Sequence, residues 1–144
     1  MKLGVIGGLG PMATAYFMEM VTEMTDASND QEHIEMLIYS KPQIPDRTKF
    51  ILGESDENPL PPINDVANKL VSIGADVIAI PCITAHCFHD KLCANVVNAK
   101  ILNAIDETVN ELQISGAKNV GIMATSGTLK CELFQKALKE ANMN

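Results

Sequence analysis

The sequence predicts an α/β fold in which a parallel sheet is flanked by helices. Three observations lead there. Short apolar runs (residues 3–7, 35–39, 76–80 and 119–124) read as buried strands. Amphipathic stretches at helical spacing separate them, and such alternation points to a parallel sheet covered on both faces. The turns that carry unusual chemistry all fall where strands run out, on the face where sheets of this kind bind ligands.

Taken in order, LGVIG (3–7) is the first strand and GGLGP breaks it. Pro11 suits the first helical position, where its missing N–H costs nothing. Phe17, Met20, Val21 and Met24 then mark the apolar side of a helix. EMLIY (35–39) is the second strand. Residues 41–62 hold five of the seven prolines and read as a long loop with one helical turn, a length that usually signals function. Ile63, Val66, Ala67 and Leu70 mark the next helix, stopped at Gly74. DVIAI (76–80) is a fully apolar third strand ending at PCITAH. A short strand is expected near 98–101. A helix follows through Leu102, Ile105, Val109 and Leu112. NVGIMA (119–124) reads as a fifth strand, and TSGTL opens a helix with Phe134, Ala137, Leu138 and Ala141 on one side. The boundary near Ser115–Gly116 divides a first α/β lobe (1–115) from one strand–helix unit (116–144), which is too little to stand as a domain. That last strand, apolar on both faces, is expected to join an edge of the first sheet or to pair with another subunit.

Bulk properties exclude several functions. The 144 residues are 47% hydrophobic, enough for a real core. A net charge of −7 argues against nucleic acid, whose phosphates demand clustered Lys and Arg. No apolar run approaches the ~20 residues that span a membrane. Neither the length nor the glycine-broken character of the N-terminus suits a signal peptide, so a cytoplasmic location is expected. In that compartment the four cysteines are expected to be thiols rather than disulfides.

Gly8-Leu9-Gly10-Pro11-Met12-Ala13 formally fits a dinucleotide fingerprint. The acidic residue that should close the second strand is missing, because that place reads Tyr39-Ser40-Lys41. The turn is better read as a tight strand-to-helix connection whose helix N-terminus offers N–H groups to an anion. Arg47 is the single arginine among ten lysines, and it sits on the ligand face; a planar fork there suits a carboxylate. Cys82, His86, Cys87, His89 and Cys93 include metal-ligating types but match no common ligand spacing, so no metal is expected. Cys82 stands between a strand end and a helix start, where a thiolate is favoured. Cys87 and Cys93 lie deeper and read as packing, and His86 and His89 as surface or structural histidines. Thr125, Ser126, Gly127 and Thr128 can cap a helix or cradle a carboxylate.

These motifs together resemble the aspartate/glutamate racemase superfamily, in its cofactor-independent aspartate racemase branch. The resemblance runs through GVIGGLGPMAT (4–14), KPQIPDRTKFILG (41–53), GADVIAIPCITAH (74–86) and VGIMATSGTL (120–129). It implies a longer, two-lobed enzyme in which facing thiols exchange the α-proton of an amino acid without pyridoxal phosphate or metal. Cys82 matches the first-lobe catalytic cysteine and Arg47 the arginine that binds the substrate's side-chain carboxylate. Thr84 matches a substrate-contacting threonine; Thr125, Gly127 and Thr128 match the second-lobe loop, and Met12 the first loop. The implied partners are a small acidic amino acid, aspartate or glutamate, and a second copy in a homodimer. Two departures stand out. Ile83 replaces the asparagine of the family's PCNTAH motif. The sequence also stops at Asn144, before a GCTE-like motif with the second cysteine, and Cys131 lies in the wrong context to replace it. The expectation is a shortened family member with impaired turnover or, alternatively, a non-catalytic carboxylate- or amino-acid-binding module built on that fold.

Overall fold

A computed structural model describes residues 1–144. Four parallel strands form one sheet in the order β2-β1-β3-β4: β1 is Lys2–Gly7, β2 Glu35–Ser40, β3 Val77–Ala79 and β4 Lys100–Ile101. Helices α1 (Pro11–Met24), α3 (Leu60–Ser72), α4 (His89–Asn95) and α5 (Ala104–Ile114) connect or follow them. A short helix α2 (Arg47–Leu52) interrupts the proline-rich loop, and a 3-10 helix (Ile83–Phe88) leads from β3 into α4.

The period of two in β1 divides its side chains between two cores. Ile6 faces α3 and α4, packing with Ile63, Val66, Leu70, Ile78 and Leu92. Leu3 and Val5 face α1 with Ala79, Phe17 and Val21. Gly4 lets α3 approach: a Cβ there would stand 2.9 Å from the Ala75 Cβ. No helix is long and apolar enough to cross a membrane.

The C-terminal unit departs from expectation. NVGIMA is not a strand and does not join the sheet edge. β4 is two residues long and offers almost no ladder to extend. The segment is tied instead to the chain's end, where the Val120 N–H donates to the Asn144 carbonyl (2.7 Å) and the Asn144 N–H to the Lys118 carbonyl (2.8 Å). Val120 and Ile122 rest against a small cluster of Val109, Leu138 and Met143. The expected last helix is two helices, α6 (Ser126–Cys131) and α7 (Leu133–Glu140), broken at Glu132 with φ 57°.

The expectation that all four cysteines are thiols is also corrected. Cys87, in the 3-10 helix, and Cys131, at the end of α6, form a disulfide with a Cα–Cα distance of 6.0 Å; Cys82 and Cys93 are free. Forty-four residues separate the pair, and only the docking of α6 on the 3-10 helix brings them together. Closing a loop of that length constrains the unfolded chain by about 4 kcal/mol in the chain-entropy treatment.

Candidate active site

The site is built from the turns beyond three strands, β1, β2 and β3, and from the segment that leads into α6. Behind β1, Gly8 takes φ +86° and lies directly on the next loop; a Cβ there would come within 2.5 Å of the Lys41 backbone. Gly8 thus serves a close approach of two backbones. Its N–H donates to the Thr14 hydroxyl (2.9 Å), and that hydroxyl donates to the Gly10 carbonyl (3.1 Å). Thr14 of α1 thus occupies a donor that an anion would otherwise use.

Arg47 opens α2, whose N-cap is Asp46; the Lys49 N–H donates to the Asp46 carboxylate at 2.9 Å. The guanidinium is held by three backbone carbonyls. Nη1 donates to Ile44 (3.3 Å) and Pro45 (3.0 Å), and Nη2 donates to Leu9 (3.1 Å). A guanidinium has five N–H donors. The two that remain, one on Nη2 and one on Nε, are a donor pair for a carboxylate, already oriented by the other three.

Beyond β3, Cys82 is the N-cap of the 3-10 helix. The His86 imidazole returns to it: Nδ1 lies 3.0 Å from the Cys82 carbonyl. A carbonyl only accepts, so Nδ1 carries the proton. His86 is 3% exposed, and its Nε2 has no partner. Burial pushes the imidazole below its ordinary pKa against the pull of the Cys82 carbonyl, which keeps the ring neutral. His86 therefore is not a surface group; it fixes the turn that presents Cys82. The i, i+4 spacing from Cys82 was the signal available in the sequence.

The last wall comes from α6. Thr84 Oγ1 lies 2.9 Å from both Thr125 Oγ1 and Thr128 Oγ1, and the latter two are 3.1 Å apart. This triangle of hydroxyls joins the 3-10 helix to the N-terminus of α6. Gly127 permits it, because a Cβ there would meet Thr48 Oγ1 at 2.8 Å and Thr84 Cγ2 at 3.1 Å.

Cys82, Arg47, Thr84, Thr125 and Thr128 all line one cleft of about 560 Å³, together with Leu9, Asp46, Thr48, Ile83 and Phe134. Gly127 supports its wall from behind. Met12 is not brought in; it sits 80% exposed on α1. Asp46 and Thr48 flank Arg47 and line the cleft with it, although a Pro-Asp sequence by itself signals only a turn. Phe134 read as core from its helical spacing, yet it reaches the cleft. Cys82 is the cysteine that lines this cleft; Cys93 lies on α4 with its sulfur 3.6 Å from His89 Nε2.

The model of the Asp/Glu/hydantoin racemase family matches residues 6–144. The chain belongs to that family. It is 31% identical over 143 residues to the broad specificity amino-acid racemase RacX of Bacillus subtilis (strain 168), covering 95% of this chain and 60% of that one. Among solved structures it resembles the Picrophilus torridus aspartate racemase at 38% identity and TM-score 0.91, covering 99% of this chain and 60% of the other. An aspartate racemase homologue from Pyrococcus horikoshii OT3 follows at 26% identity and TM-score 0.79, with 99% and 62% covered. The chain spans about three fifths of the length of these racemases.

Proposed function

We propose that this member of the racemase family binds an acidic amino acid, aspartate or glutamate, and that Cys82 exchanges its α-proton. The observation that carries the reading is the convergence of Cys82 and the half-free Arg47 fork on one cleft with three threonine hydroxyls. A substrate carboxylate takes the two unused N–H groups of Arg47. The thiolate of Cys82 removes the proton from Cα; the C–H electron pair stays on carbon, and the sulfur becomes a thiol. The carbanion is stabilised by N–H and hydroxyl donors around the substrate's α-carboxylate, Thr84 and Thr125 among them. Return of the same proton restores the starting enantiomer. Inversion needs a second acid on the opposite face of Cα, and in this proposal it comes from outside these 144 residues, on a further segment or a second chain. Ile83 places an apolar side chain beside Cys82 where relatives of the PCNTAH type have an amide, which favours looser recognition of the α-amino group.

The test is NMR of α-proton exchange in D2O, with L- and D-aspartate incubated separately and Cys82→Ser as control. Exchange of one enantiomer without inversion, lost in the mutant, is the expected result for this chain alone. Absence of exchange with both aspartate and glutamate, while Cys82 still reacts with a thiol reagent, would remove Cys82 as a working base.

A further inference from the structure

Helix α6 carries the last wall of the cleft on few apolar contacts. It is six residues long, too short to be stable through its own hydrogen bonds. Residues 117–125, which lead into it, form neither helix nor strand. Leu129, its one large apolar side chain, is 40% exposed, and Cys131 belongs to no apolar cluster. It rests on Thr48 of α2 through Gly127, which has no side chain to bury. α6 is pinned at its two ends instead. At the N-terminal end, Thr125 and Thr128 meet Thr84 through their hydroxyls. At the C-terminal end, Cys131 is bonded to Cys87, and Glu132 then breaks the helix. Cys87 lies on the 3-10 helix that Cys82 opens, so this bridge joins the wall to the element presenting the free thiol.

We propose that the Cys87–Cys131 bridge is a thiol–disulfide exchange site, reduced by a dithiol, that sets whether the α6 wall stays on the cleft. The bridge can be reached from outside the cleft. Both cysteines are only half-buried, and Cys87 lines a separate cavity of about 310 Å³ that shares no lining residue with the cleft. Exposed Asp90 and Lys136 also line that cavity, which places it at the surface. One thiolate of the dithiol attacks the Cys87 sulfur there. The S–S bond breaks, and Cys131 leaves as a thiolate and takes up a proton. The second thiolate of the dithiol then attacks its own first sulfur, closing a disulfide within the reagent. Cys87 is released and is protonated in turn. Two electrons pass from the dithiol to the bridge, which becomes two thiols. The Gly127 carbonyl, 4.0 Å from the Cys87 sulfur, offers the freed thiol only a weak hydrogen bond. α6 then keeps its hydroxyl end alone and undocks, taking Thr125 and Thr128 with it and uncovering Cys82. Both apolar layers persist, because neither includes a residue of α6. Reoxidation returns the wall.

The test compares the wild-type chain in three states: oxidised with oxidised glutathione, reduced with dithiothreitol at about 1 mM without denaturant, and reoxidised. After the reagents are removed, hydrogen exchange is followed by mass spectrometry, and Cys82 alkylation by iodoacetamide is timed on its own peptide. Reduction should raise the count of free thiols from two to four. Exchange over residues 117–131 should speed up about tenfold and Cys82 alkylation about threefold, while β1 and β3 keep their protection. Reoxidation should restore both rates. Cys87→Ser with Cys131→Ser should match the reduced wild type and ignore dithiothreitol, whereas Cys93→Ser should behave as wild type. Neither readout depends on which ligand the cleft takes, so the test stands apart from the acid–base reading of Cys82. A pair that stays as thiols under oxidised glutathione overturns the inference, as does a bridge that dithiothreitol leaves intact. Unchanged exchange and alkylation after reduction would show that α6 holds without the bridge, and overturn it too. Protection lost throughout β1 and β3 on reduction would make the bridge a staple of the whole fold, with the same result.

Discussion

Residues 2–101 and residues 117–144 are held together by different means, although both supply walls to one cleft. The first region has four strands and two apolar layers, with Val5, Ile6, Ile63, Val66, Ile78 and Leu92 fully buried. The second has no strand in the sheet; Leu138 and Met143 are buried against Val109 of α5, and one disulfide and a triangle of hydroxyls tie it to the first. Cys82 and Arg47 come from the first region, Thr125 and Thr128 from the second. The cleft thus joins a part built on two apolar layers to a part held mainly by a few specific links. Its weakly anchored wall is secured by specific links rather than by a core.

The largest effect is expected from cutting a large side chain out of each core. Leu70→Ala should cost about 2–5 kcal/mol and lower amide exchange protection throughout β1, β3 and α3. Leu138→Ala should lose protection only around α5, α6 and α7. Equal, global losses from both would mean the two regions unfold as one. Next in size is the disulfide: Cys87→Ser with Cys131→Ser should destabilise by roughly 2–4 kcal/mol, seen as lost protection confined to residues 117–144. Alkylation of the untreated oxidised protein followed by mass measurement should find two reactive thiols, Cys82 and Cys93.

A smaller effect is expected from Gly127→Ala. Thr48 and Thr84 must give way, so the cost should be about 1–3 kcal/mol, with aspartate binding by calorimetry weakened before the global melt changes much. Gly53→Ala is a poor control for this because Gly53 holds φ +76°; Gly121→Ala, with open space around it, should leave binding unchanged. The smallest effect belongs to His86, in the region with the larger core. Its folded-state pKa lies below the ordinary 6.5. The unfolded chain therefore takes up a proton before the folded one does, and stability falls as pH drops below about 6.5. Melting temperatures measured from pH 7.5 to 5 should decline more steeply for wild type than for His86→Gln, which keeps a donor for the Cys82 carbonyl and does not titrate.

Most of the first region was legible because its signals are local. LGVIG, EMLIY and DVIAI are apolar runs bounded by turns, and a run of that kind becomes a strand wherever a sheet can receive it. Cys82 was legible because it stands just beyond such a strand, and Arg47 because it is the single arginine in the loop on that same side; Thr84 came only with the family resemblance. NVGIMA carries the same local signal, yet it forms no strand. A strand needs a neighbour, and the two residues of β4 offer none. Met12 looked as well placed as Leu9, but the pitch of α1 turns it outward while Leu9 faces the cleft.

The sequence by itself determined the alternation of strands and helices, the order of the ligand-facing turns and the family, because periodicity and motif spacing are properties of the chain alone. Only the tertiary structure decided which of those turns meet. It set the Thr84, Thr125 and Thr128 hydroxyls within 2.9 to 3.1 Å of one another and joined Cys87 to Cys131. Each of these depends on how α6 and the 3-10 helix pack against one another or against β3. Packing is a relation between distant segments, and no local pattern encodes it.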